Sequence, residues 1–240
     1  NKDGRIAKVG KEKDNTLLLL LSEETNDKGL AMTASFTTML MAAQFLANIN
    51  NPEEYEPIVK DLSKATNLLF DNYSDLIKEI AETSFRRAIF LGSGCLYGCA
   101  LESSLKLQEM TEGNIICKAD TFLGVRHGPE VVIDNKTLVV FFLSSDTLVR
   151  RYELDLMKEL KSKRLGMKKV VVCDKVKDEI EDNVDYNIEF DKCGVFDIPD
   201  FYRPVMDVTV GQLLGLFKSL DLGLTPDNPS KKGIISRIVK

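Results

Sequence analysis

Short runs of consecutive apolar residues alternate along this chain with longer segments in which apolar residues recur at helical spacing. A continuous apolar run is typical of a strand that is buried on both faces in a parallel sheet. We therefore predict strands over 16–22, 87–92, 137–144 and 169–173. The segments with helical spacing predict helices over 30–49, 55–83, 97–110, 147–165 and 204–220.

Alternation of strands and helices predicts an α/β fold, a three-layer αβα sandwich with a parallel sheet. The segment 52–83 breaks this rhythm, since it contains no apolar run and mixes charges with spaced apolar residues. We interpret 51–82 as one or two connecting helices, 1–50 as the C-terminal part of a first domain, and 83–240 as a second domain. The first domain would then be incomplete. The alternative is that the first strand and helix join the sheet of the second domain.

Composition narrows the function classes. Lys and Arg total 32 and Asp and Glu total 37, so the net charge of −5 provides no attraction for nucleic acid or a membrane surface. The apolar run 17–21 is far shorter than the ~20 residues of a membrane helix, and the opening residues NKDGRIAK do not resemble a secretory signal. Five cysteines without a CxxC pair predict free thiols in a soluble, cytoplasmic protein. They are Cys95, Cys99, Cys117, Cys173 and Cys193.

A Gly-Ser-Gly turn follows the predicted strand 87–92 and precedes a helix. Ligands bind at the carboxyl ends of parallel strands in such folds, and glycine lets the backbone and helix N–H groups approach a phosphate. Ser93 and Gly94 are therefore candidate substrate-binding residues. A tight turn with a purely structural role explains the same residues equally well.

Three charged residues share one stripe of the next helix. Glu102, Lys106 and Glu109 are spaced i, i+4, i+7, which places them on one face. A solvated ion-pair surface is the commoner explanation of such spacing. The functional alternative is a carboxylate tuned by a lysine for proton transfer, with Glu109 facing a cleft at the carboxyl edge of the sheet.

The histidine of this chain, His127, lies in the sequence GVRHGPE, 18 positions after Glu109. Imidazole exchanges protons near neutral pH, which suits acid–base catalysis. A lone histidine is more often structural, and sequence spacing does not show that His127 reaches Glu109. One histidine and scattered cysteines give no metal-ligand cluster, so we expect no metal site.

The segments FLGSG, ALESSLKLQEM and GVRHGPEVVID together resemble a known family. They are similar to the second sugar isomerase (SIS) domain of glucosamine-6-phosphate synthase, and more closely to the tagatose-6-phosphate ketose/aldose isomerase and galactosamine-6-phosphate deaminase group. The segment GLAMTASFTTML resembles the helix that closes the first SIS domain, and PDNPSKKGIISRIVK resembles the C-terminal segment of the family. The resemblance implies two SIS domains, each with a five-stranded parallel sheet. The Ser- and Thr-rich phosphate loop of the first domain has no counterpart here.

The resemblance also implies roles for individual residues. Glu109 matches the base that moves a proton between C1 and C2 of the sugar, and Glu102 and Lys106 match the residues that support it. His127 matches the histidine that opens the sugar ring and that is contributed to the site of the neighbouring subunit. A homodimer with a shared active site is therefore implied.

The substrate-binding segment is also placed by resemblance. Leu30 matches the position whose backbone carbonyl faces the sugar, and Thr33 and Ser35 are nearby polar candidates. Gln108 stands where the synthase has a lysine. The C-terminal catalytic lysine of the synthase has only poor matches, in Lys231, Lys232 and Lys240.

These observations predict an enzyme that acts on a hexose or hexosamine 6-phosphate by aldose/ketose isomerisation, with or without loss of ammonia. Such an enzyme of carbohydrate metabolism is an isomerase or, when ammonia is released, a hydrolase. No cofactor is required, because a carboxylate and an imidazole suffice for proton transfer next to a carbonyl. The alternative is a non-catalytic sugar-phosphate sensor; no basic or helix-turn-helix segment points to DNA binding. The hexose itself stays open.

Overall fold

The computed structural model describes residues 2–228, Ser230 and Gly233. Five parallel strands form one sheet in the order β2-β1-β3-β4-β5. The strands are β1 (Arg87–Gly92), β2 (Ile116–Asp120), β3 (Thr137–Phe142), β4 (Lys168–Cys173) and β5 (Tyr186–Glu189). The central strand β3 is buried along its whole length, as its apolar run predicts.

Helices cover both faces of the sheet. They are α1 (Arg5–Lys11), α2 (Ala34–Ala47), α3 (Pro52–Glu82), α4 (Cys95–Met110), α5 (Phe122–Arg126), α6 (Thr147–Ser162), α7 (Asp178–Glu181) and α8 (Pro204–Asp221), with 3-10 turns at Glu23–Thr25 and Pro129–Val132. On one face, Phe90 of β1 belongs to a core with residues of α3, α4 and α8. On the other face, Leu91 belongs to a core with residues of α5 and α6. The predicted three-layer αβα sandwich is confirmed.

The segment predicted as one or two connecting helices is a single helix, α3, of 31 residues. Its buried residues Leu69, Ile77 and Ile80 recur at helical spacing and join the core beneath the sheet. α3 also packs along α8. The helix is thus part of the outer layer of this sandwich, and the division of the chain at 50 and 82 stays a prediction.

The predicted strand over 16–22 is wrong. In the described structure this segment has no strand pairing, and Leu17, Leu19 and Leu20 are exposed. An apolar run indicates a segment that is suited to burial, but a strand also needs a neighbour that accepts and donates its backbone hydrogen bonds. The segment does not join the five-stranded sheet, which also removes the alternative in which the first unit completes that sheet.

Two strands were missed because they lie at the sheet edges. β2 reads ICKAD and β5 reads YNIE, and both are short and only partly buried. An edge strand lacks the continuous apolar run by which the buried strands were recognised. Within the described residues, no helix is both long and apolar enough to span a membrane. Lys231, Lys232 and Lys240 lie outside the described residues.

Candidate active site

Close packing explains the glycines of the turn between β1 and α4. A Cβ atom at Gly92 would lie 2.3 Å from the carbonyl oxygen of Leu96, a distance that no side chain tolerates. Gly94 has a φ of 56°, in the region that favours glycine. Structural constraints therefore account for both glycines without a ligand.

A polar network fills the carboxyl edge of the sheet around this turn. The buried Glu153 accepts a hydrogen bond of 2.8 Å from the Ser144 N–H, and burial raises its pKa although hydrogen bonding from Ser93 and Ser144 opposes the rise. The fully buried Arg203 donates to Asp200 at 2.7 Å. Ser93 thus lies beside a carboxyl group, which does not favour a phosphate there. The substrate-binding role of Ser93 and Gly94 stays a prediction.

Glu102, Lys106 and Glu109 lie on one helix, α4, as the spacing predicts. Lys106 Nζ lies 2.7 Å from Glu109 Oε2 and 3.5 Å from Glu102 Oε1. The side chains of Lys106 and Glu102 are 6% and 12% exposed, whereas that of Glu109 is 32% exposed. A solvated ion-pair surface does not fit these values. Burial raises the pKa of Glu102, and Lys106 opposes that rise.

The predicted position of Glu109 at the carboxyl edge of the sheet is wrong. α4 connects the carboxyl end of β1 to the amino end of β2, so its last turn lies at the amino edge. Glu109 is in that last turn and immediately precedes Met110, which lines a cleft. The proton-transfer candidate therefore lies at the end of the sheet opposite to the predicted one.

The cleft has a volume of about 840 Å³ and lies between the segment 23–34, α3 and α8. Its walls include Gly29, Ala31 and Thr33, which flank or neighbour Leu30. The Leu30 N–H donates a hydrogen bond of 2.8 Å to the Asp227 carbonyl oxygen. The structure therefore brings the segment that resembles the family's sugar-binding backbone to the same cleft as the end of α4.

The hydroxyl groups of Thr33 and Ser35 both donate hydrogen bonds to the carboxylate of Asp27. The Thr33 hydroxyl donates to Asp27 Oδ1 at 2.9 Å, and the Ser35 hydroxyl donates to Asp27 Oδ2 at 2.8 Å. Partial burial would raise the pKa of Asp27, but hydrogen bonds from Ser35, Ala34 and Thr33 hold it well below its usual value. The two hydroxyls are thus already engaged, and their role in substrate binding stays a prediction.

His127 and Glu109 are not brought together within the chain. His127 is exposed and follows α5, whose Phe122 and Val125 pack in the core on one face of the sheet. Glu109 belongs to α4, whose Leu96 and Leu107 pack in the core on the other face. The two residues therefore belong to helices in different layers of the sandwich. Among the described residues, no group of three or more His, Cys, Asp or Glu side chains is arranged to hold a metal ion.

Several known proteins are similar to this chain over its whole length. The D-galactosamine-6-phosphate deaminase AgaS of Escherichia coli is 31% identical over 242 residues, which cover 100% of this chain and 61% of that protein. The crystal structure of tagatose-6-phosphate ketose/aldose isomerase from Escherichia coli has a TM-score of 0.86 and 32% identity, covering 98% of this chain and 61% of that one. The crystal structure of a provisionally named tagatose-6-phosphate ketose/aldose isomerase from Clostridium novyi NT has a TM-score of 0.95 and 38% identity. The match covers 100% of this chain and 61% of that one. No protein-family model matches the chain.

These similarities support the assignment of the chain to the SIS superfamily. Its sheet and flanking helices form the same fold as these structural neighbours. The chain spans 61% of the length of those relatives.

Asp27, which organises the start of α2, is not among the residues predicted from the sequence. The available signal was an acidic residue in a turn-rich stretch, NDKG, a few residues before a helix that opens with Thr, Ala and Ser. Gln212 and Thr209 of α8, which line the cleft, are also absent from those predictions. No local sequence pattern distinguishes these two from other polar residues of the helix.

Proposed function

We propose that this SIS protein catalyses aldose/ketose isomerisation of a hexose or hexosamine 6-phosphate, coupled to loss of ammonia when C2 of the substrate bears an amine. The observation that supports the proposal is the Glu102, Lys106 and Glu109 cluster. Its lysine is almost fully buried between two carboxylates while Glu109 stays partly exposed. An ion pair of this kind differs from the surface pair of Lys60 and Glu56, whose side chains are 65% and 68% exposed.

The chemistry that fits the cluster is proton transfer between adjacent carbons. The Glu109 carboxylate removes the proton from C2 of the open-chain aldose and returns it to C1, through an enediol or enaminol. With an amine at C2, protonation at C1 leaves an imine at C2, and water then replaces the nitrogen to give a ketose and ammonia. Lys106 keeps the Glu109 carboxylate oriented and balances its charge.

Ring opening is a separate task, which we assign to His127. Because His127 and Glu109 lie on opposite sides of the sheet, we propose a homodimer in which each subunit completes the other's site. The free thiols of the five cysteines are in keeping with a cytoplasmic enzyme. The names of the relatives, a deaminase and a ketose/aldose isomerase, support this substrate class.

The decisive experiment is turnover of a panel of hexose and hexosamine 6-phosphates by the full-length protein, with ketose and ammonia assayed together. Glu109→Gln should reduce turnover by about 10²–10⁴-fold, the usual contribution of a general base. Glu56→Gln is the matched control, because it removes an exposed, lysine-paired carboxylate far from the cluster. Saturable binding without any turnover by the unaltered protein would reject the enzyme and favour the sugar-phosphate sensor.

A further inference from the structure

Asp27, in the wall of the cleft, accepts four hydrogen bonds from residues that follow it in the chain. Oδ1 accepts from the Thr33 hydroxyl at 2.9 Å and from the Ala34 N–H at 3.0 Å. Oδ2 accepts from the Ser35 N–H at 2.9 Å and from the Ser35 hydroxyl at 2.8 Å. These bonds satisfy N–H groups at the first turn of α2, where no intrahelical acceptor exists.

The same bonds close a loop. Asp27 and Thr33 are joined side chain to side chain, so the five residues 28–32 between them form a closed segment. A second tie fixes the middle of this loop, because the Leu30 N–H donates to the Asp227 carbonyl oxygen at 2.8 Å. Gly29 packs against the same residue, and a Cβ there would lie 3.4 Å from Asp227 Oδ1. The backbone at 29–31 is thus held from both sides at the wall of the cleft.

We propose that Asp27 is a positioning residue for substrate binding, which holds the backbone of residues 29–31 in the orientation that receives the sugar. The inference rests on the proposed function. In this view Thr33 and Ser35 act on Asp27, and the loop contributes backbone groups to the substrate. The closed loop means that little chain entropy remains to be lost when the sugar binds.

An ordinary helix cap would give the same local hydrogen bonds without any effect on substrate. The chain contains a suitable comparison in Asp146, whose Oδ1 accepts from the Leu148 and Val149 N–H groups at 2.9 Å each. Asp146 is the N-cap residue of α6, a helix that packs on the other face of the sheet from α4 and α8. Removing either aspartate costs the cap, about 1 kcal/mol of stability. Only the loss of Asp27 would also release residues 28–32 of the cleft wall from their tie to Thr33.

The test compares Asp27→Ala, Asp27→Asn and Asp146→Ala in the full-length protein. Asparagine keeps an acceptor for Thr33 and Ala34 but replaces the one that serves Ser35, so Asp27→Asn should have the smaller effect. If the ordered fraction of the loop falls about tenfold in Asp27→Ala, the apparent dissociation constant of the sugar phosphate rises about tenfold. KM should therefore rise while kcat changes little, and Asp146→Ala should change neither.

Hydrogen exchange of residues 28–35 gives a readout that needs no activity. Exchange there should speed up in Asp27→Ala and stay unchanged in Asp146→Ala. An unchanged KM with faster exchange would overturn the positioning role, and so would equal falls of kcat in both alanine variants. If the unaltered protein turns over no sugar phosphate, the proposed function fails, and calorimetric titration with the same sugar phosphates then replaces KM in the comparison.

Discussion

Lys106 Nζ donates a 2.7 Å hydrogen bond to Glu109 Oε2 from a position that is almost closed to solvent. The same ammonium lies 3.5 Å from Glu102 Oε1, so one buried positive charge serves two carboxylates. Such a charge cannot be removed without leaving carboxylates that are poorly solvated and unpaired. We therefore expect substitution of Lys106 to impair both the stability and the activity of the protein.

Lys106→Met should lower kcat by at least about 10²-fold, because Glu109 loses the ammonium that holds its carboxylate. The pKa of Glu102, which burial raises and Lys106 lowers, should rise further once this positive neighbour is gone. The measurements are kcat and the titration of the Glu102 carboxyl group by NMR. Lys60→Met, which removes the exposed partner of Glu56, should leave kcat unchanged. An unchanged kcat in Lys106→Met would argue against support of Glu109 by this lysine.

His127→Ala should slow turnover of a predominantly cyclic hexose phosphate by at least about 10²-fold, and should affect an open-chain substrate far less. The reason is that ring opening and proton transfer are assigned to different residues. Parallel assays with the two kinds of substrate measure the difference. Equal losses on both would indicate that His127 has a structural role.

Mixing the inactive His127→Ala and Glu109→Gln proteins should restore part of the activity once subunits exchange. Within the chain these residues belong to layers on opposite faces of the sheet, so a shared site between two copies would regain both groups in some hybrids. Exchange is followed with a fluorescent label on one protein. Confirmed exchange without any recovered activity would refute the shared site.

Gly211→Ala should destabilise the protein and lower activity, because α8 and α4 are in close contact at this point. A Cβ at Gly211 would lie 2.3 Å from the Ser103 Cβ and 2.8 Å from its Cα, so the backbone of α4 would have to move. Overpacking of this kind costs about 1–3 kcal/mol. Gly98→Ala is the control on α4, because a Cβ there meets nothing within 4 Å. This variant should increase the free energy of unfolding by about 1 kcal/mol, since alanine favours a helix more than glycine does. Thermal unfolding and kcat of both variants check the prediction.

Five thiols should be found when the denatured, unreduced protein is titrated, since all five cysteines are free in the described structure. In the native protein, Cys193 should react fastest. Cys95 is also exposed, but burial of its sulfur and the nearby Asp200 raise its pKa, which lowers the fraction of reactive thiolate near neutral pH. Cys99 and Cys173 are buried and should react only on unfolding. A count of one or three would mean that disulfides form.

The sequence by itself determined the central strands and the charged stripe of α4. β1, β3 and β4 were predictable because strands buried on both faces require continuous apolar runs. The Glu102, Lys106 and Glu109 stripe follows from the fixed period of the α-helix. The end of the sheet at which Glu109 lies was also implied, since a helix between two parallel strands returns to the amino edge.

Only the tertiary structure decided what each residue contacts. The apolar run at 16–22 was suited to a strand, but strand formation depends on a neighbour elsewhere in the chain. Thr33 and Ser35 were polar candidates for substrate, and their hydroxyls are bound to Asp27 instead. Glu109 and His127 are 18 residues apart in sequence, yet the sheet separates the layers to which they belong. Spacing along the chain fixes which residues share a helix face, whereas packing of distant segments fixes which side chains meet.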